Sequence, residues 1–323
     1  MPHAPDFWKR KGLVSDLLLP FGWAYAGIGI ARREFAQPHR VSVPVICIGN
    51  LVAGGAGKTP VALSLAKMLT DAGMKPHILS RGYGGSLKGP VRVDLDRHDA
   101  DDTGDEPLLL AQAAPVWIGA NRVTSALAAI DHGADILLLD DGFQNPSLHK
   151  DIALIVIDGG YGIGNGRVMP AGPLREPVEE ALMRATAVVM MGDDPNRSAP
   201  RDKPMLRARL APRDAVELKG QRVVAFAGIG RPGKFFATMR EIGSDVVATH
   251  EFPDHHAYSD AALAKLGVEA HAVDAMLVTT EKDWVRLPPA WRNRVRAVKV
   301  EVEWQDPAAL RALLAPVTGG RLG

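Results

Sequence analysis

Short, mainly apolar runs punctuate this chain at residues 43–48, 76–79, 115–118, 135–141, 152–158 and 187–191. Their apolar stretches are continuous, the pattern of strands covered on both faces in a parallel sheet. Between them lie longer segments with helical spacing, among them a helix starting near Lys58 and another over 121–132. Strands alternating with helices predict an α/β fold, a parallel sheet with helices on both faces. The alternation resumes on a smaller scale with strands at 222–227, 246–251 and 276–280 and helices starting at Pro232 and Ser259. Residues 192–204, rich in Asp, Pro and Arg, read as exposed loop, and a boundary is expected near Ala211. The expected organisation is an N-terminal segment over 1–40, a core over 41–211 and a smaller α/β domain over 212–323.

The first forty residues differ from the rest. Lys9, Arg10 and Lys11 precede an apolar stretch that ends before Arg32 and Arg33. It is shorter than the roughly 20 residues a spanning helix needs, and Pro20 and three glycines interrupt it. Ala24, Tyr25 and Ala26 imitate a signal-cleavage site, but Asp16 lies in the apolar region. Basic flanks with the Trp8, Trp23 and Tyr25 rings predict an amphipathic helix that attaches to a membrane interface without crossing it.

The most informative stretch is the turn after the first strand, Val52, Ala53, Gly54, Gly55, Ala56, Gly57, Lys58 and Thr59. Its glycines let successive backbone N–H groups converge, and the helix that follows adds the positive end of its dipole. Lys58 can reach terminal phosphates, and the Thr59 hydroxyl can ligate magnesium. The strict pattern requires glycine where Val52 stands, so this is a variant of the GGxGKT kind. The core is therefore expected to be P-loop NTPase-like, binding ATP. Asp140 and Asp141 end the run at 135–141, at the sheet edge where ligands sit in open parallel sheets, and supply a second magnesium anchor. A phosphate loop stranded outside the cytoplasm would lack ATP, which argues further against export.

Composition adds exclusions. In 323 residues, 38 basic side chains balance 37 acidic ones, so bulk charge gives no case for nucleic acid. Cys47 is the only cysteine, which excludes a disulfide within the chain and fits a reducing compartment. The stretch from Gly228 to Gly233 matches a dinucleotide fingerprint, but Pro232 is better explained as a first-turn helix residue. His250, His255 and His256 cluster without the carboxylate or cysteine spacing of a zinc site. The segment from Thr279 to Asp283 is charged for no local reason.

The segments GNLVAGGAGKTP, SRGYGG, GDEP, GANR, LLLDDGFQN, PLREP, AGIGRPGKFF, FPDHHAY and TEKDWVRL, in this order over nearly the whole chain, resemble the tetraacyldisaccharide 4'-kinase family of lipid A biosynthesis. The resemblance implies phosphoryl transfer from ATP, with Mg²⁺, to the 4'-hydroxyl of an acylated glucosamine disaccharide 1-phosphate. It implies a peripheral protein at the cytoplasmic face of the bacterial inner membrane, with no obligate protein partner. By the same resemblance the catalytic aspartate falls on Asp105, its supporting histidine on His255, and the phosphate-loop lysine on Lys58. Thr59, Asp140 and Asp141 correspond to the metal site, and Arg122, Arg175 and Glu176 to positions near the reaction and the lipid headgroup. Asn145 stands where the family usually has histidine. A switch ATPase of the partitioning or escort type would use a similar loop, but such loops usually carry a lysine at the position of Ala53.

Overall fold

The computed structural model describes residues 5–195 and 202–322. Its strands, in chain order, are β1 (Val45–Asn50), β2 (Pro76–Ser80), β3 (Val91–Arg92), β4 (Val116–Ile118), β5 (Ile136–Asp140), β6 (Ile152–Asp158), β7 (Ala187–Met191), β8 (Met205–Pro212), β9 (Arg222–Ala227), β10 (Asp245–Glu251), β11 (Met276–Thr280), β12 (Arg296–Val298) and β13 (Val300–Trp304). They form a nine-stranded sheet of order β13-β8-β7-β6-β1-β5-β2-β4-β3 and a four-stranded sheet of order β10-β9-β11-β12. The large sheet is parallel except for its two outermost strands, β13 and β3. The small sheet is wholly parallel.

Continuous apolarity in the central strands has the expected consequence. In β1, Ile46 and Ile48 pack toward the helices Lys58–Asp71 and Pro307–Thr318 on one face. Val45 and Cys47 pack on the other face, toward the helices Arg122–Asp131 and Val178–Arg184. Burial pushes the Cys47 thiol up to about 12, the behaviour of a core residue rather than a reactive one. β1 lies between β5 and β6, so the chain leaves it toward β2 on one side and later fills β6, β7 and β8 on the other. The carboxyl end of β1 is therefore a topological switch point, the place where open α/β sheets bind ligands.

Two expectations about the second half change. Of the loop expected over 192–204, residues 196–201 lie outside the described residues, and the chain then enters β8, which extends the large sheet through the expected boundary. Moreover, the last part of the chain returns: β13 pairs antiparallel with β8, Trp304 Nε1 donates to Ser64 Oγ at 2.9 Å, and Leu310 and Leu314 enter the core of the large sheet. A unit over 212–323 thus does not follow the sheets; the small sheet occupies 222–298, an insertion closed by strands of the main body. The reason is burial. The apolar face of 307–318 needs a partner, and the exposed edge of β8 needs a strand.

At the N-terminus, Leu13–Leu17 and Leu19–Glu34 are helical. The segment is tied to the body by polar contacts, Trp8 Nε1 to the Pro170 carbonyl and Arg167 to Ser15 and Asp16. Leu13, Leu17, Phe21, Trp23, Ile28 and Phe35 are each at least 65% exposed. Among the described residues, no helix is long and apolar enough to cross a membrane.

Candidate active site

The loop after β1 is shaped from beneath. Asn50 ends the strand fully buried, and its side-chain amide donates to the carbonyls of Val52 (2.7 Å) and Gly54 (3.1 Å), curling the chain back on itself. Gly54 and Gly57 take φ of 120° and 88°, values that a side chain would strain. Gly57 leads into the helix Lys58–Asp71, which has no side-chain cap, so its first N–H groups are left for an anion. Thr59, second in that helix, is partly buried. A second segment is stitched to the loop: Ala53 N donates to Pro173 O, and Arg175 N to Leu51 O. That stitching brings Arg175 to the site.

At the adjacent strand end, Asp140 lies beside Ile48 and Asp141 turns away with φ 49° while its N–H still donates to Ile48 O. Burial pushes the Asp141 carboxyl up, but Lys58, 3.5 Å away, and Arg175, 2.9 Å away, hold it below its usual range. Asp140 is 1% exposed, and its pKa is raised by burial first, then by Glu106 and Asp141. Its Oδ1 is buried without a hydrogen-bond partner. An orphaned, buried carboxylate oxygen beside a second carboxylate fits a cation. Among the described residues no group of three or more His, Cys, Asp or Glu forms a metal cluster. A hard ion here would therefore draw on a few protein oxygens plus phosphate and water, the habit of magnesium.

Arg122 and Glu176 stand behind this front. Arg122 is 3% exposed and donates through Nη1 to the Gly119 carbonyl, and its charge faces Asp140. Glu176, 1% exposed, meets Arg184, Arg33 at 3.3 Å and the Gln144 amide at 3.1 Å. Two arginines and an amide thus brace the Glu176 carboxylate. Asn145 likewise turns inward, accepting from Ser147 N and Oγ.

The second group spans the two sheets. Gly104, at φ 85°, starts the helix Asp105–Leu110 in the large unit. His255, from the loop after β10, places Nδ1 3.0 Å from Asp105 Oδ2. Burial would raise the Asp105 pKa, but the hydrogen bond from His255 and the charges of Lys282, His255 and Arg286 hold it down at about 2. The carboxylate is thus ionised at neutral pH, and the Nδ1–H is its donor. Glu106 links the groups: it faces Asp140 electrostatically and Lys282 at 3.3 Å, and Lys282 in turn is 4.0 Å from Asp105.

Over residues 14–318 the chain matches the family model described as tetraacyldisaccharide-1-P 4'-kinase. It is 52% identical to the tetraacyldisaccharide 4'-kinase of Rhodospirillum centenum, covering 98% of this chain and 97% of the relative. The chain belongs to the tetraacyldisaccharide 4'-kinase family. It is also 50% identical to the family member of Paramagnetospirillum magneticum, covering 96% and 97% of the two chains. The fold matches LpxK of Aquifex aeolicus, solved in complex with ATP, with a TM-score of 0.78 and 29% identity over 95% of this chain and all of that one.

Around these residues, several side chains carry no expectation from the sequence. Glu106, Lys282 and Arg286 surround Asp105, and Gln144 joins Arg175 to Glu176. The available signal was the charged segment at Thr279 to Asp283, unexplained by its own surroundings. Lys282 finds its carboxylates, Asp105 and Glu106, on the large unit, whereas Asp283 is bound within the small one.

Proposed function

We propose that this protein is an ATP-dependent kinase that phosphorylates the 4'-hydroxyl of a tetraacyldisaccharide 1-phosphate, giving lipid IVA in lipid A biosynthesis. The observation that carries the reading is the meeting of a phosphate loop with an Asp105–His255 pair drawn from two separate sheets, with Glu106 and Lys282 between them.

The residues divide the work by their chemistry. The N–H groups from Val52 to Thr59 and the Lys58 ammonium receive the phosphates of ATP, and Arg175 adds positive charge beside them. Thr59, Asp140 and Asp141 would hold Mg²⁺, which when bound would neutralise charge on the phosphates. The 4'-oxygen forms its bond to the γ-phosphorus as the bridging bond to the β-phosphate breaks. ADP leaves, and the hydroxyl proton passes to the Asp105–His255 pair. Such a transfer depends on positioning and charge more than on covalent help, and the buried charges provide both.

The acceptor is a lipid, so the enzyme must work at a bilayer. Phe21, Tyr25 and Ile28 recur at helical spacing on the helix Leu19–Glu34 and give it an exposed apolar stripe that continues to Arg32. This supports peripheral attachment to the inner membrane, on the cytoplasmic face where ATP is available. The assay is label transfer from γ-labelled ATP to the acylated disaccharide 1-phosphate in mixed micelles. Label in the lipid that depends on both substrates is expected; ATP hydrolysis indifferent to the lipid, with none labelled, overturns the proposal.

A further inference from the structure

Arg286 follows the small helix Glu281–Trp284 and is almost fully buried, its side chain 6% exposed. All parts of its guanidinium are in use. Nε donates to the Lys282 carbonyl at 3.0 Å, Nη1 to the His256 carbonyl at 3.2 Å, and Nη2 to the Gly228 carbonyl at 3.0 Å and to Asp283 Oδ1 at 2.9 Å. Nε also lies 3.4 Å from Asp105 Oδ2, on the other unit. One planar group thus holds the loop after β9, the loop after β10 and the carboxylate across the cleft.

These contacts converge on His255. Its backbone has φ 60°, a left-handed conformation uncommon for a residue with a side chain and kept only when neighbours enforce it. Its N–H donates to the Gly228 carbonyl, the same oxygen that accepts from Arg286. Gly228 is pinned a second time, its N–H donating to Asp283 Oδ1, and Tyr258 Oη and Thr280 Oγ1 also donate to the fully buried Asp283 carboxylate. The His255 N–H is shared with Asp254 Oδ1 at 3.1 Å, so Gly228 and Asp254 together hold the backbone from which the imidazole projects. Lys282 also faces Asp105, but its close contacts are the carboxylates of Asp105 and Glu106, and Asp254 of the histidine loop acts on it through charge alone.

We infer that Arg286 is a positioning residue for phosphoryl transfer, holding His255 of the small sheet in register with Asp105 of the large one. The inference rests on the proposed Asp105–His255 pair and concerns how that pair is aligned, not whether it exists. It also assigns a purpose to two sequence features that nucleotide binding leaves unused, the glycine-rich turn at Gly228 and the TEKDWVR segment.

A lysine keeps the positive charge facing Asp283 and Asp105, but one ammonium cannot span two loop carbonyls and two carboxylates as the fork does. Arg286→Lys should therefore lower kcat by roughly 10- to 100-fold, the scale on which small misplacements of reacting groups act. KM for ATP should stay unchanged, since the phosphate loop belongs to the other unit. In a His255→Ala background the same change should cost nothing further, because a group acting through the imidazole has nothing left to position. Gly228→Ala is an independent probe that leaves Arg286 in place: its Cβ would lie 2.8 Å from Tyr258 Oη and 3.0 Å from the Pro253 carbonyl, displacing the same loop. It should show the same signature and carries the test if Arg286→Lys fails to fold, folding being read from thermal melting. Wild-type kcat in a folded variant, or losses that multiply onto His255→Ala, would overturn the inference while leaving the pair intact. Full activity in His255→Ala alone would remove the pair and this inference with it.

Discussion

Deleting each member of the Asp105–His255 pair, and then both, tests whether proton removal is the work of one unit. In Asp105→Ala the lost carboxylate leaves His255, Lys282 and Arg286 without the anion they share. A positioned base supplies about 10²- to 10⁴-fold, which is roughly 3–5 kcal/mol of barrier. Because Lys282 and Arg286 each lose one carboxylate partner as well, keeping only Glu106 and Asp283, the loss in kcat should lie near the upper end, about 10³- to 10⁴-fold. In His255→Ala the carboxylate survives, still ionised by Lys282 and Arg286 but no longer oriented by the hydrogen bond at 3.0 Å, and the loss should be about 10²-fold. Independent contributions would multiply to about 10⁵ or more in the double variant; a single unit leaves it little worse than Asp105→Ala. Label transfer to lipid at saturating ATP reads kcat, and calorimetric titration confirms that all three variants retain ATP affinity. A multiplicative double variant, or either single variant with full activity, would refute the dyad. It would also leave the activation of the hydroxyl without a base.

Three further outcomes follow from the same geometry. Asp105 is held at about 2 against a reference of 3.8, so its ionised form favours the fold above about pH 4 and that contribution fades as pH falls toward 2. It amounts to about 2 kcal/mol for a group this buried; melting curves should show the gap between wild type and Asp105→Asn narrowing over that window, and a constant gap would contradict the assignment. Asp140→Asn and Asp141→Asn should each raise the magnesium concentration for half-maximal activity by about tenfold or more, since each removes negative charge offered to the ion; if neither does, the metal assignment is wrong. Replacing Leu17, Phe21 and Trp23 by serine should move the protein from membrane to soluble fractions, a cleaner test than removing residues 1–35, which would also strip the Arg33–Glu176 contact. Unchanged partitioning would mean that another surface holds the bilayer.

What the chain declares on its own is whatever local periodicity and turn chemistry encode. The strands Ile152–Asp158, Ala187–Met191, Arg222–Ala227 and Met276–Thr280 have the bounds that their apolar runs predict, and the helix Pro232–Glu241 begins at its proline. The glycine-rich turn after β1 was equally legible as a strand-to-helix turn, because its glycines, lysine and threonine are adjacent in sequence and need only the flanking strand and helix to take shape. The motif order also identified the family. Tertiary structure decided everything that joins distant segments. β8 was hidden behind a polar stretch, and β13 and the helix Pro307–Thr318 return to the large sheet because an unpaired edge and an apolar face need covering, a demand arising only once the sheet exists. The contacts of Glu176 with Arg33 and Arg184 likewise join segments that no local pattern connects. Arg286 resembled any arginine in a charged segment. Its meaning lies in carbonyls at Gly228 and His256, which folding of the small sheet brings to it, and in a carboxylate at Asp105, which packing against the large unit supplies.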